Sequence, residues 1–334
     1  MKNIKKSKIL LCIFCILLTN FFIQPLKISH ATEKYPTKPI KFIVPVTAGG
    51  TSDVVPRMLA DLVGKALGQE IIVENKVGAG GAVAARFIAN SKPDGYTIGA
   101  ILSSVFIITP NFTKMDFDVL TDLVPIAQVF ASNQALEVAM NSPIKTFNDF
   151  IEEGRKRQIL VAAMGMSYTD IVMQRLATEA KIGLKIVPYG GMSQAALAAM
   201  GGHADVYAQA ITLEFIRAGK MRVIAMLSDT KGPFKGISLE GIPTLKQLGY
   251  NLEAVAFTGI FAPKGLPQQI QEKLEEEFAR AIHHPSIAEF CVNTGMTLQY
   301  KNSKDYGNYL KEVYERANKE IKELGLGIYA KEKK

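Results

Sequence analysis

The stretch VPVTAGGTSDVVPRML, Val44 to Leu59, decides how the chain is read. Lys41 to Val46 is β-branched and apolar, as a buried strand requires, and apolar residues at helical spacing run from Asp53 to Leu67 until Gly68 stops them. Between strand and helix lie Thr47, Ala48, the pair Gly49-Gly50, the hydroxyls of Thr51 and Ser52, and Asp53. A turn of this kind points backbone N–H groups at an anion. Pro56 lacks an N–H and is tolerated in a helix's first turn, which places the helix start at Ser52 or Asp53. The N–H groups of Ala48 to Ser52 then lie outside the helical ladder, and Asp53 reads as a cap or first-turn acid. A turn glycine pair with no ligand would give the same local pattern, so both readings stay open at this point.

Outward from that turn the grammar repeats. Ile71 to Glu74 reads as a strand, Gly78-Ala79-Gly80-Gly81 as a turn, about 82–90 as a helix, Pro93-Asp94-Gly95 as a turn and Tyr96 to Leu102 as a strand. A second block follows: strand Ile159 to Ala163, helix Asp170 to Lys181, strand Lys185 to Val187, helix Ser193 to Met200 and strand Val206 to Ala208. Strands alternating with helices predict parallel sheets, and two blocks predict two α/β domains. After Pro263-Lys264-Gly265-Leu266-Pro267, Gln268 to His283 and Lys304 to Leu324 read as long amphipathic helices with no sheet of their own. Folded back on the first block, they give a discontinuous first domain, 32–135 plus 255–334, around an inserted second domain, 136–254. A cleft crossed by more than one segment is a natural ligand site.

Residues 1–31 are excluded from that fold. Lys2, Lys5, Lys6 and Lys8 precede an apolar run from Ile9 to Ile23, and Ser29-His30-Ala31 offers small residues at the cleavage positions, so the segment reads as a cleaved secretory signal. Removing it takes five lysines and no acids, lowering the formal charge from +8 to +3. So small a charge, with no long basic run before Lys331 to Lys334, argues against a nucleic-acid partner. One cysteine, Cys291, remains and cannot form an intramolecular disulfide, so stability must come from an apolar core.

Taken in order, the motifs resemble those of Bug-type solute receptors, the extracytoplasmic substrate-binding proteins of tripartite tricarboxylate transporters. They begin with Tyr35-Pro36-Thr37-Lys38-Pro39-Ile40 and Pro45 to Asp53, and continue through Leu67-Gly68-Gln69, Val73-Glu74-Asn75-Lys76, Gly78 to Gly81 and Pro93-Asp94-Gly95-Tyr96-Thr97. They resume at Val187-Pro188-Tyr189-Gly190-Gly191, Gly201-Gly202-His203-Ala204-Asp205-Val206, Ile242-Pro243-Thr244 and Ala262-Pro263-Lys264-Gly265. The resemblance implies a periplasmic-binding-protein-like (Venus flytrap) α/β fold of two domains that close on a small carboxylate. It implies ligand contacts from Thr47, Ala48, Gly49, Gly50, Thr51, Ser52 and Asp53 in the first turn. A matching second turn supplies Gly165, Met166, Ser167, Tyr168, Thr169 and Asp170, with Ser103, Ser104, Tyr189, Gly190, Gly191 and Asp205 around them. It further implies a periplasmic monomer without cofactor or metal, serving a membrane permease or a sensor. Opposed helix N-termini would hold an anion without burying a lysine.

Two departures bear on the ligand. The second turn carries Met166 and Asp170 where relatives commonly have a glycine and a histidine, and Val255-Ala256-Phe257-Thr258-Gly259 lacks a tryptophan often found there. If Asp170 faces the cleft, it favours a ligand bearing an ammonium or amide donor; otherwise it caps the helix that follows. Rival functions find less in the sequence. Gly78-Ala79-Gly80-Gly81 lacks the third glycine of a dinucleotide fingerprint. Gly165-Met166-Ser167-Tyr168-Thr169 is nearly the Gly-x-Ser-x-Gly of a serine hydrolase, the alternative reading, in which Ser167 would cleave a small ester or amide. Thr169 breaks that motif, and His203, His283 and His284 read as surface residues.

Overall fold

The computed structural model describes residues 35–333, and the predicted signal at 1–31 lies outside them. Strand β1 (Ile40–Val44) turns into helix α1 (Thr51–Leu67), followed by β2 (Ile71–Asn75), a 3-10 turn at Ala79–Gly81, α2 (Ala82–Ala89), β3 (Thr97–Leu102) and the short helices α3 (Ser104–Ile107) and α4 (Thr109–Phe112). Next come β4 (Leu123–Ser132), β5 (Gln134–Ala139), α5 (Phe147–Lys156), β6 (Ile159–Ala163), α6 (Tyr168–Ala180), β7 (Leu184–Pro188) and α7 (Met192–Met200). The chain ends with β8 (Val206–Ala210), α8 (Leu213–Arg217), β9 (Met221–Met226), β10 (Phe257–Pro263), α9 (Gln268–Ile282), α10 (Pro285–Thr294), β11 (Met296–Asn302), α11 (Ser303–Leu324) and a 3-10 turn at Gly327–Lys333.

Two sheets result. The first has the order β11-β4-β10-β3-β1-β2, and the second β7-β6-β8-β5-β9. Strand β1 runs parallel to β2, in register from Ile40 opposite Ile71 to Val44 opposite Asn75, and parallel to β3; β6 runs parallel to β7 and β8. The expectation of parallel sheets needs correction, because both are mixed: β10 lies antiparallel between β3 and β4, and β5 antiparallel between β8 and β9. The C-terminal helices do fold back on the first sheet, α9 against α1 and β4, and α11 against β4. The strand between them, β11, joins the sheet edge beside β4.

Burial follows strand position. Every residue of β1 except Lys41, and all seven residues of β10, are buried, as strands covered on both faces require. Phe42 of β1 meets Phe278 of α9 edge-on at 5.7 Å, and Phe106 of α3 meets Phe261 of β10 at 5.1 Å. Gly259 in β10 has a steric reason: a Cβ there would lie 2.3 Å from Cε1 of fully buried Tyr306. One apolar cluster runs from Ile43, Ile101 and Phe261 through Tyr306 and Val313 to Tyr168, Leu176 and Val161, uniting material from both sheets.

The passage between sheets is short. A single residue, Asn133, separates β4 from β5; it is buried, and its Nδ2 donates to the Gly295 carbonyl (3.0 Å) and Thr297 Oγ1 (2.9 Å). The return path lies beside it, with Leu227 N donating to Gln134 O and Ser132 N to Ala256 O. Helix α11 makes a third connection: Tyr168 Oη of α6 donates to Glu320 (2.7 Å), and Arg175 pairs with Glu323 (2.6 Å). From Pro36 onward the chain is one compact unit.

Candidate ligand site

At the carboxyl end of β1, Thr47, Ala48, Gly49 and Gly50 are all exposed. Gly49 has φ +96, a left-handed conformation suited to glycine, and extended Gly50 precedes α1 without any side-chain cap. The helix begins at Thr51, ahead of the predicted start, so Pro56 sits deeper in it than expected. Asp53 is the anchor. Its buried carboxylate accepts from Gly49 N (2.9 Å), Arg57 Nε (2.8 Å) and Asn75 Nδ2 (2.7 Å). Asn75 also donates to the Val46 carbonyl (2.7 Å) and accepts from Arg57 (2.7 Å), closing a ring of polar contacts beneath the turn. The Arg57 hydrogen bond, opposed by burial and reinforced by Asn75 and Gly49 N–H, holds the Asp53 carboxyl at about 2. Asp53 therefore shapes the turn from beneath, and the Gly49 N–H expected to be free is already engaged.

Neighbouring loops at the same edge are tied to each other. Ser103 follows β3; its N–H donates to the Phe257 carbonyl (2.9 Å) and its Oγ accepts from Phe257 N (3.3 Å). Ser104 Oγ donates to the Gly80 carbonyl (2.8 Å), linking this loop to the glycine turn after β2.

In the second sheet, the turn after β6 has two successive left-handed residues, Gly165 (φ +82) and Met166 (φ +52). A left-handed L-residue costs roughly 1–2 kcal/mol, so Met166 is held in a strained conformation. Ser167 caps α6 in a reciprocal box: its Oγ accepts from Asp170 N (3.3 Å), and Asp170 Oδ2 accepts from Ser167 N (2.8 Å). Gln209 Nε2 completes the cluster by donating to Ser167 Oγ (2.9 Å) and Asp170 Oδ1 (3.2 Å). Burial pushes the Asp170 carboxyl up against the pull of these bonds. Both Asp170 oxygens are engaged inside the protein, in the geometry of a helix cap.

Other expected residues divide in the same way. Thr169 is buried and donates to Gln134 Oε1 (3.0 Å), while Tyr168 is buried and bonded to Glu320. The side chains of Tyr168, Thr169 and Asp170 thus leave the open face of the turn, because the first helical turn is packed into the core. Tyr189 is half-buried against Ala162, Ala195 and Tyr207, whereas Gly190 is exposed and a Cβ on Gly191 would meet nothing within 4 Å. Asp205 does not join this edge. It precedes β8 at the opposite end of the sheet, where it takes two bonds from Arg157 (2.9 and 2.7 Å) and one from Leu160 N (2.8 Å). Burial alone would raise its carboxyl, but these partners hold it below the usual range.

Arg57, Asn75, Gln134 and Gln209, which position the two turns, were not among the expected site residues. Arg57 and Asn75 lay in quoted stretches but were not singled out; a lone glutamine in a strand carries no pattern by which to find it. Nothing assembles around Ser167 as a nucleophile requires, since its partners are Asp170 and Gln209. Nor does any group of three His, Cys, Asp or Glu among the described residues suit a metal ion.

Known proteins share the fold described above. The family model described as tripartite tricarboxylate transporter family receptor matches residues 55–326. The chain belongs to this receptor family. A UPF0065 protein of Cupriavidus necator is 33% identical over 301 residues, covering 88% of this chain and 90% of the relative. Among solved structures, the periplasmic binding protein BugD superposes with a TM-score of 0.72 at 26% identity, covering 88% of this chain and 99% of BugD. MatC of Rhodopseudomonas palustris, solved with bound malate, superposes with a TM-score of 0.71 at 25% identity, covering 86% of this chain and all of MatC. The family is one of solute-binding receptors with the Bug-type fold, and its members are periplasmic binding proteins. Among the described residues no helix is long and apolar enough to cross a membrane.

Proposed function

We propose that this chain captures a small organic acid, holding one carboxylate between the turn at Thr47–Ser52 and the turn at Gly165–Ser167. One observation carries the reading: each sheet ends a parallel strand, β1 or β6, in an exposed glycine turn that opens a helix, and a buried carboxylate braces each turn from within. Backbone N–H groups at helix starts are natural partners for a carboxylate. The malate held by MatC supports an organic acid as ligand. In this reading Ser103, Ser104, Tyr189, Gly190 and Gly191 wall the site, and the side chains of Tyr168, Thr169 and Asp170 hold the second turn in shape.

The two sheets are the cores of two domains, 32–135 plus 255–334 and 136–254, hinged at Asn133 and the returning segment beside it. Residues 1–31 are a signal removed on export, and the protein works as a monomer. The closed, loaded form is what a membrane permease or a sensor recognises. Calorimetry of the purified protein across organic acids and amino acids tests the function, with chromatography of the ligand afterwards. Saturable one-to-one binding with the ligand recovered intact is expected. Catalytic loss of any ligand at substoichiometric protein would overturn the reading.

A further inference from the structure

Three methionines stand out among the exposed side chains. Met166 is 65% exposed, Met164 45% and Met192 46%. They lie on two loops that touch, since Tyr189 N donates to the Ala163 carbonyl (2.9 Å) and a Cβ on Gly165 would lie 3.0 Å from Pro188 Cβ. The turn after β6 and the start of α7 therefore bring three exposed methionines onto adjoining segments. Met166 is held there in a left-handed conformation that a glycine would adopt without strain.

Charge is missing from the same loops. Residues 46–53, 103–104, 164–170 and 189–192 contain no lysine, arginine or histidine. Of the nearest cations along the chain, Arg57 is held by Asp53 and Asn75, Lys41 by Glu74 (3.0 Å) and Arg175 by Glu323 (2.6 Å), while Lys185 lies opposite Leu160, towards the far end of β7 from these loops. A second ligand carboxylate buried here would lose its hydration without gaining a counter-charge. An apolar body would instead cover exposed thioether side chains, which adapt to irregular shapes.

We propose that the ligand is a monocarboxylate with an apolar body, aliphatic or aromatic, and that Met164, Met166 and Met192 set this preference. The proposal rests on the carboxylate-receptor reading and names its ligand class. The experiment is a calorimetric series on the purified protein: straight-chain acids from acetate to octanoate, with benzoate, against succinate, malate and citrate. Affinity should climb about fourfold per added methylene until the methionines are covered, and octanoate should exceed each polyvalent acid by at least tenfold. Met166→Gly and Met192→Ser, checked for fold by circular dichroism, should flatten that climb. A flat series, tighter binding of succinate, malate or citrate, or an unchanged slope in both variants would overturn the proposal and leave the receptor reading standing. Binding of no acid by folded protein would overturn both.

Discussion

In the proposed site, Asp53 would serve the bound anion without touching it. Its carboxylate draws Gly49, Arg57 and Asn75 together under the turn, so the open side keeps only neutral donors. Asp53→Ala would leave Arg57 and Asn75 without that partner and release the turn; we expect a loss of about 1–3 kcal/mol in denaturant melts, with weakened ligand binding. The sign of its pH dependence follows from a folded value near 2 against 3.8: the stabilisation is complete above 3.8 and disappears as pH falls through 2. Glu137 acts in the opposite sense. It is fully buried, accepts from Thr212 N (2.8 Å) and Thr212 Oγ1, and burial pushes its carboxyl up to about 7 from 4.5. The folded state binds the proton more tightly, so stability falls as pH rises from 4.5 to 7, by about 3 kcal/mol in all. Chemical melts of the wild type and Glu137→Gln across that range should converge at low pH and separate at neutral pH. Neither effect was legible in the sequence, because Glu137 owes its raised value to burial inside the fold, against the pull of its bonds from Thr212, 75 positions away. Asp170 was half-legible: its distance from Ser167 fits a cap, but the choice between cap and ligand contact needed Gln209, from a different strand.

At the scale of elements, legibility tracked local pattern. The strand at Ile159–Ala163 and the helices ending at Leu67, Met200 and Leu324 fall where periodicity and punctuating glycines put them. The antiparallel strands β4, β5, β9, β10 and β11 and helix α5 were not anticipated. Strands β4 and β5 follow one another with no helix between them, and the partners of all five strands are distant, as with β11 on β4. Gly259 is legible only afterwards, since its reason is Tyr306 on α11. Gly259→Ala forces a methyl into that ring and should destabilise by about 1–3 kcal/mol, visible as a lower Tm. Tyr168→Phe removes the α6–α11 hydrogen bond to Glu320, and a loss of roughly 1 kcal/mol is expected in the same assay. A ring left packed in the core limits the damage.

For the whole molecule, the proposed hinge lies where the chain crosses at Asn133 and where the segment after β9 returns beside it at Ala256, with α11 as a third contact. Neither turn alone surrounds a ligand, so binding should draw the sheets together, and X-ray scattering with saturating ligand should show a smaller radius of gyration than without. Superimposable profiles would mean that the protein does not hinge. The order of motifs along the chain made the family and fold legible, because both depend on many positions at once. The proposed ligand preference depends on a few exposed side chains such as Met166, whose strain and exposure appear only in three dimensions. The central claim is that two separate turns grip one carboxylate through their backbone amides. Amide-resolved NMR titration tests it most directly, using the tightest-binding acid from the calorimetric series. The account predicts that the N–H resonances of Ala48, Gly50, Thr51 and Ser52 and those of Gly165 and Met166 shift together, with one stoichiometry and one saturation curve. Saturation that moves only one of the two turns, or neither, would contradict it.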